Sequence, residues 1–162
     1  MKREMIPTWE ELEYHKTIIP EIDPASVIAM LGIKAVGEEI QQSILDVLQR
    51  EYHLSEGKFC TLIVLHQHGK DGVAPSVLAG KVGVTRATIS NMLQRMERDG
   101  LVVMKPAESD GRSKLAVMTE QGRAFMEKIL PPHYLRVTRL MEKLTEAEQK
   151  ELIRLLRKMA GD

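Results

Sequence analysis

The chain of 162 residues lacks the features that mark several classes of protein. Its single cysteine, Cys60, excludes an internal disulfide framework. No apolar run approaches the ~20 residues of a membrane span, and the first 13 residues are charged without an apolar h-region. Nucleophile-elbow, Walker and His-Glu-x-x-His motifs are missing, so no catalytic site, cofactor or metal is predicted. We expect a protein of the reducing cytoplasm that is not an enzyme and has no membrane partner.

The chain also lacks net charge, with 23 basic and 23 acidic residues, but the charges are unevenly distributed. Residues 74–118 contain 7 basic and 4 acidic groups, whereas residues 1–23 contain 3 and 6. Because charges are screened over ~8 Å at physiological salt, a polyanion senses the local patch and not the total. The neutral total therefore does not exclude a nucleic-acid partner.

Residues 1–23 are predicted to form an N-terminal arm with one short helix. Thr8 and Glu11 have the spacing of a capping box, and Pro20 should end the helix. Two interpretations are open for this arm. It packs on the body of the protein, or it contacts a partner or inducer.

The next segment is predicted to be one long amphipathic helix. Asp23 and Pro24 suit the N-cap and first helical position, and apolar residues recur at helical spacing as far as Tyr52. After Thr119 a further helix is expected, with a kink or restart at Pro131-Pro132. Thr145 and Glu148 form a second capping-box pattern that begins a last helix rich in leucine.

The middle of the chain predicts a helix-turn-helix followed by a β-hairpin. A short helix begins at Pro75 and ends at Gly83, and Thr85 caps a second helix with Ile89, Met92, Leu93 and Met96 on its apolar face. Residues 101–105 and 113–118 have strand character and flank a polar turn. The fold class expected is mainly α with a small β-hairpin wing, that is, a winged helix-turn-helix.

The outward face of the second helix is small, hydrogen-bonding and basic, which suits the major groove of DNA. Asn and Gln can pair with adenine and Arg with guanine, while helix N-termini can bind phosphates. Arg112, at the hairpin tip, is placed to enter a minor groove, with Asp110 orienting it and Lys114 and Lys105 beside phosphates. The candidate DNA-binding residues are Ser76, Thr85, Arg86, Ala87, Thr88, Ser90, Asn91, Gln94, Arg95, Arg98, Asp110, Arg112 and Lys114.

These segments resemble the MarR family of transcriptional regulators. The matching segments are Leu78-Ala79, Val84 to Asn91, Leu93 to Val102, Ser109 to Ser113 and Leu115 to Gly122. The resemblance implies a DNA-binding repressor that acts as a homodimer on a pseudo-palindromic operator and is released by a small-molecule effector. It also implies a domain at 24–162, with dimerisation helices at 24–53 and 120–162 around a winged helix-turn-helix lobe at 54–119.

Three other interpretations concern single surfaces or residues. The same winged helix would serve as a protein-interaction module if its polar face bound an acidic protein surface. Cys60 lies in an apolar helix, where a structural thiol is commoner than an oxidant sensor. His66 and His68 are two residues apart and so lie on different helix faces, which favours an interaction with the helix C-terminus over a metal site.

Overall fold

The computed structural model describes residues 3–106 and 114–161. The chain forms two compact units, Met1–Ser55 and Glu56–Asp162. Helices dominate both units, and the second also contains a two-stranded antiparallel sheet. Within the described residues, no helix combines the length and the apolar character needed to cross a membrane. The expected class, mainly α with a small β-hairpin, is confirmed.

The first unit consists of the arm and the long helix. A 3₁₀ turn at Arg3–Met5, which was not predicted, is followed by α1 (Trp9–Ile18) and α2 (Pro24–Tyr52). Both hydrogen bonds of the predicted capping box on α1 are present. Leu12 is buried where α1 packs along α2, and Arg3 forms an ion pair of 2.6 Å with Glu39. The arm is therefore packed on the body, as the first interpretation expected.

Local signals explain where α2 begins and ends. The Asp23 carboxylate accepts hydrogen bonds from the N–H groups of Ala25 and Ser26, and Pro24 occupies the first turn. At the other end, His53 adopts a left-handed conformation and donates its N–H to the carbonyl of Gln49. The helix of 29 residues is thus ~44 Å long, which agrees with the predicted span.

The second unit contains the remaining elements. In chain order they are α3 (Glu56–Gln67), α4 (Pro75–Val82), α5 (Arg86–Arg98), β1 (Val102–Pro106), β2 (Lys114–Met118), α6 (Glu120–Met141) and α7 (Glu146–Ala160). Every one of the helices α3 to α6 contributes buried apolar side chains to the core of this unit. The largest of those that are fully buried are Leu62, Leu65, Leu78, Ile89, Met96, Met126 and Ile129.

The sheet connects the helices of the second unit. β1 and β2 pair antiparallel, with Val102 opposite Met118 and Pro106 opposite Lys114. Val73 adds a bridge on the other side of β2, exchanging two hydrogen bonds of 2.9 Å with Ala116. Val73 thus extends the sheet by a single bridge.

The helix α6 contains the two prolines at which a kink or a restart was predicted. It continues from Glu120 to Met141 through Pro131 and Pro132, so of these two alternatives the restart is wrong. Each proline removes the N–H that would bond to the carbonyl four residues earlier, on Glu127 and Lys128. Both of those residues are exposed, so water can hydrate the freed carbonyl groups, and the helix tolerates the loss.

Candidate nucleic-acid interface

A three-residue turn joins α4 to α5. Gly83 has a φ of 74°, in the left-handed region that glycine enters at little cost, and it ends α4 by donating to the carbonyl of Ala79. Val84 donates to the same carbonyl at 3.0 Å. The predicted helix-turn-helix is therefore confirmed, because this turn redirects the chain into a second helix within three residues.

Thr85 caps the N-terminus of α5. Its hydroxyl oxygen accepts the N–H of Thr88 at 3.1 Å and lies 2.8 Å from the Thr88 hydroxyl. The hydroxyl oxygen of Thr85 thus caps α5, and its role toward a phosphate remains a prediction. By helix geometry, the N–H groups of Arg86 and Ala87 point outward from this end, so they are the groups that can receive an anion.

The two faces of α5 differ sharply in exposure. Ile89, Leu93 and Met96 are buried, whereas Met92, predicted on the same stripe, is half-buried beside Gly57. On the opposite side every candidate side chain of the helix is exposed, namely Arg86, Ala87, Thr88, Ser90, Asn91, Gln94, Arg95 and Arg98. The structure thus brings these eight candidates together on one open surface, which we call the α5 outer face.

The acidic groups near the α5 outer face are bonded to other parts of the same unit. A carboxylate oxygen of Glu97 accepts the N–H of Met104 on β1 at 3.3 Å. The carboxylate of Asp99, the C-cap residue, lies 2.9 Å from the ammonium of Lys58 on α3. Sequence reasoning missed both contacts, since Lys58 and Asp99 are 41 residues apart and no local pattern joins them.

The other candidates lie outside α5. Ser76, in the first turn of α4, is exposed, and so are Lys105 and Lys114 on the two strands of the hairpin. Ala74, the N-cap of α4, makes no side-chain capping bond. Asp110 and Arg112 lie outside the described residues, so their placement remains a prediction.

Cys60 lies on α3 and His68 just beyond the C-terminal end of that helix, and each has a distinct local environment. Burial raises the pKa of the half-buried Cys60 thiol, and the Glu56 carboxylate adds to this rise. The Nδ1 atom of His68 lies 2.7 Å from the carbonyl oxygen of Val64, so it interacts with its own helix. Over residues 3–106 and 114–161, no group of three or more metal-binding side chains comes together.

The known proteins to which this chain is similar are transcriptional regulators. A sequence model described as the MarR family matches residues 54–113. The chain is 26% identical over 156 residues to the HTH-type transcriptional repressor YetL of Bacillus subtilis, covering 96% of this chain and 93% of that protein. It is 32% identical over 111 residues to an uncharacterized HTH-type transcriptional regulator of Bacillus cereus. The match covers 68% of this chain and 72% of that protein.

One solved structure extends the comparison to the fold. It is Sco3205, a MarR family transcriptional regulator from Streptomyces coelicolor, crystallised in complex with DNA. The TM-score is 0.77 at 21% identity, with 86% of this chain and 88% of that chain covered. At 21% sequence identity, this similarity shows a shared fold and nothing more specific.

Proposed function

Because the chain belongs to the MarR family of transcriptional regulators, we propose that it binds double-stranded DNA sequence-specifically and represses transcription at its operator. Two relatives support this proposal. YetL is a transcriptional repressor by name, and Sco3205, which is similar in fold, was crystallised in complex with DNA. The family thus supports DNA-binding transcriptional regulation as the class of activity. The geometry of α5 supports the proposed mode of binding.

The observation that supports the proposal most directly is the composition and exposure of the α5 outer face. Eight small, amide, hydroxyl or guanidinium side chains are exposed together, and the carboxylates of Glu97 and Asp99 are engaged within the unit. Small side chains let a helix approach base edges closely, and amide and guanidinium groups match their donors and acceptors. A helix face that only contacts solvent must be polar, but it does not require small, amide and guanidinium side chains together.

In the proposed complex α5 lies in the major groove and the hairpin wing reaches an adjacent minor groove. Asn91 and Gln94 would read adenine, and the arginines of the α5 outer face would read guanine or bind phosphates. Ser76 and the N-terminus of α5 would hold the phosphate backbone. Arg112 would enter the minor groove, with Asp110 orienting it and Lys114 beside the backbone.

We propose that the protein acts as a homodimer. In the first unit, α2 exposes Met30, Ile33 and Val36, and in the second unit α7 exposes Ile153, Leu155, Leu156 and Met159. Large apolar side chains grouped on a helix face usually mark a surface that a partner covers. A second copy covering them would place two copies of α5 on a pseudo-palindromic operator.

Regulation in this proposal needs no chemical step and takes place in the cytoplasm, where DNA is accessible. A small-molecule effector would act by binding one conformation of the dimer more tightly and so shifting the population away from the DNA-bound state. The whole repression cycle then consists of binding equilibria, and we infer that the protein is not an enzyme.

The decisive experiment selects bound sequences from random duplex DNA and then measures affinity for the best site as salt is varied. We expect a two-fold-related sequence, whose half-sites are about one helical turn apart, and a logarithmic affinity that falls steeply with the logarithm of salt concentration. A protein that binds no duplex, or that binds all duplexes equally, would contradict the proposal.

The same experiment addresses the rival function as a protein-interaction module. In that case the α5 outer face would bind an acidic protein surface. Duplex binding would then be weak and without sequence preference, because only charge attraction would remain. A selected sequence that outcompetes random duplex favours the regulator.

A further inference from the structure

The end of α5 is joined to three other elements, β1, α6 and α3, within a few residues. Asp99 and Gly100 form its C-terminal turn, in which Gly100 has a φ of 74°. The hydroxyl of Thr119 donates to the backbone carbonyl of Gly100 at 2.7 Å. The side-chain amide of Gln121 donates to the backbone carbonyl of Asp99 at 3.4 Å. Together with the Glu97 contact to β1, these bonds connect the turn to the sheet and to the start of α6.

The ion pair of Lys58 and Asp99 adds α3 to this junction. It differs from ordinary surface pairs, because the Lys58 side chain is only 20% exposed while Asp99 is 51% exposed. A carboxylate at a helix C-terminus is opposed by the negative end of the helix dipole, so Asp99 by itself does not favour the end of α5. The ammonium of Lys58 offsets that repulsion, which makes the pair a specific link between α3 and α5.

Because the ion pair lies at one end of α5, a small change there can displace the α5 outer face at the other end. The 13 residues of α5 span ~20 Å, so a tilt of ~3° about its C-terminal end displaces its N-terminal end by ~1 Å. Base recognition by bidentate hydrogen bonds tolerates only about half an ångström of misplacement. A contact at the C-terminal end of α5 can therefore decide how well the side chains at its N-terminal end fit a base.

We propose that Lys58, through its ion pair with Asp99, is a positioning residue that sets the orientation of α5 and thereby its base preference. This inference rests on the proposed function, because it concerns the quality of base recognition by the same surface. Lys58 itself would not touch DNA. Its loss should reduce the ratio of affinities for the preferred duplex and for other duplexes. The general attraction to the phosphate backbone should persist.

The test uses the full chain and the duplex selected for it. Lys58→Met keeps the apolar stem but removes the charge, Asp99→Asn keeps the size but removes the opposite charge, and Lys58→Arg is the conservative variant. Lys128→Met is a matched control, since Lys128 is an exposed lysine on α6 of the same unit. Relative affinity is measured for the best duplex, for its single-base variants and for random duplex, each over a range of salt.

We expect Lys58→Met and Asp99→Asn to lower the preference for the best duplex over random duplex about fivefold, the upper range for a partly exposed pair. The slope of affinity against salt should stay unchanged, because no phosphate contact is lost. Lys58→Arg, and the exchange Lys58→Asp with Asp99→Lys, should restore most of the preference. The control should behave as the parent does.

Several outcomes would overturn the inference. Equal losses for best and random duplex, with a shallower salt slope, would show that Lys58 contacts the backbone itself. A lower urea midpoint with an unchanged base profile would show a role in stability alone. If the parent protein prefers no duplex, the proposed function fails first, whereas a selective parent with equally selective variants refutes the inference alone.

Discussion

Glu97 on α5 accepts a hydrogen bond from the backbone N–H of Met104 on β1, with 3.3 Å between oxygen and nitrogen. This bond satisfies a donor at the edge of the hairpin and ties the wing to the end of α5. It also turns the Glu97 carboxylate toward its own protein. The proposed DNA surface therefore keeps its basic character although an acidic residue lies in the last turn of α5.

The first prediction separates base recognition from backbone attraction. Asn91→Ala or Gln94→Ala should change the preferred base at one position of each half-site, at a cost of ~1–3 kcal/mol for a lost bidentate contact. Arg112→Ala should instead weaken binding to all duplexes and reduce the salt slope by ~1. Fluorescence anisotropy with a panel of single-base duplex variants measures both effects. Identical profiles for the parent and both kinds of variant would contradict the docking mode.

Much of this architecture could be predicted because its signals are local. Asp23 and Pro24 mark the start of α2 within two residues, and Gly83 and Thr85 define the turn of the helix-turn-helix. The alternation of buried and exposed positions along α5 follows directly from its helical period. Each of these features depends on side chains a few residues apart, and so can be recognised without tertiary structure.

What could not be predicted depends on contacts between distant segments. The partner of Asp99 is Lys58, and nothing in the sequence near either residue indicates the pair. The continuity of α6 through Pro131 and Pro132 has a similar cause, because packing against the rest of the unit outweighs the intrinsic cost of proline. Residues 107–113, which include Asp110 and Arg112, lie outside the described part of the chain.

The second prediction concerns the apolar surface of α7. Leu155 is 47% exposed, so Leu155→Glu should leave the second unit folded while placing a charge in the proposed dimer interface. We expect the parent to sediment as a dimer and the variant as a monomer at micromolar concentration. Ala147→Glu adds the same charge at an exposed position in the first turn of α7 and should remain dimeric. A monomeric parent, or a Leu155→Glu dimer of full affinity, would exclude this interface.

The third prediction tests the packing between α6 and the strand region. A methyl group on Gly122 would overlap the carbonyl oxygen of Leu101 and lie 2.9 Å from a Met118 side-chain carbon. Because a backbone oxygen cannot move aside cheaply, Gly122→Ala should reduce the free energy of unfolding by ~2–4 kcal/mol. Gly80→Ala is the control, since its methyl group would meet nothing within 4 Å, and it should stabilise α4 by ~0.5–1 kcal/mol.

Urea unfolding followed by circular dichroism compares the two glycine variants. The expected result is a lower midpoint for Gly122→Ala and an equal or higher midpoint for Gly80→Ala, with similar slopes. If Gly122→Ala is as stable as the parent, the close approach of α6 to Leu101 is not required by the fold.

The fourth prediction follows from the raised pKa of Cys60. Burial and the nearby Glu56 carboxylate both disfavour the thiolate, which is the reactive form. Alkylation at pH 7.5 should therefore be several-fold slower in the folded protein than in urea, and its rate should rise with pH beyond the range at which free cysteine levels off. The parent should keep its DNA affinity in the presence of peroxide, as the control Cys60→Ser does. Rapid alkylation of the folded protein would instead support an oxidant sensor.

The last prediction is a pH dependence of stability that arises at His133. Its ring packs edge-on against Phe59 with centroids 4.9 Å apart, and its Nδ1 is buried without a hydrogen-bond partner among the described residues. Burial lowers the pKa of His133 below its usual value of about 6.5, and the Arg136 charge lowers it further. The folded state therefore binds this proton less readily than the unfolded chain does.

The sign of the effect follows from that difference. Well above pH 6.5 the ring is neutral in both states and contributes no pH dependence, whereas as the pH falls through 6.5 the unfolded chain takes up the proton first and is stabilised. The contribution of His133 to folding stability should thus decline as the pH falls from 6.5 toward the lower pKa of the folded state. His133→Phe keeps an aromatic ring beside Phe59 but cannot be protonated, so its urea midpoint should fall less than that of the parent between pH 7.5 and pH 5.5. Equal declines for the two proteins would show that the proton is taken up elsewhere.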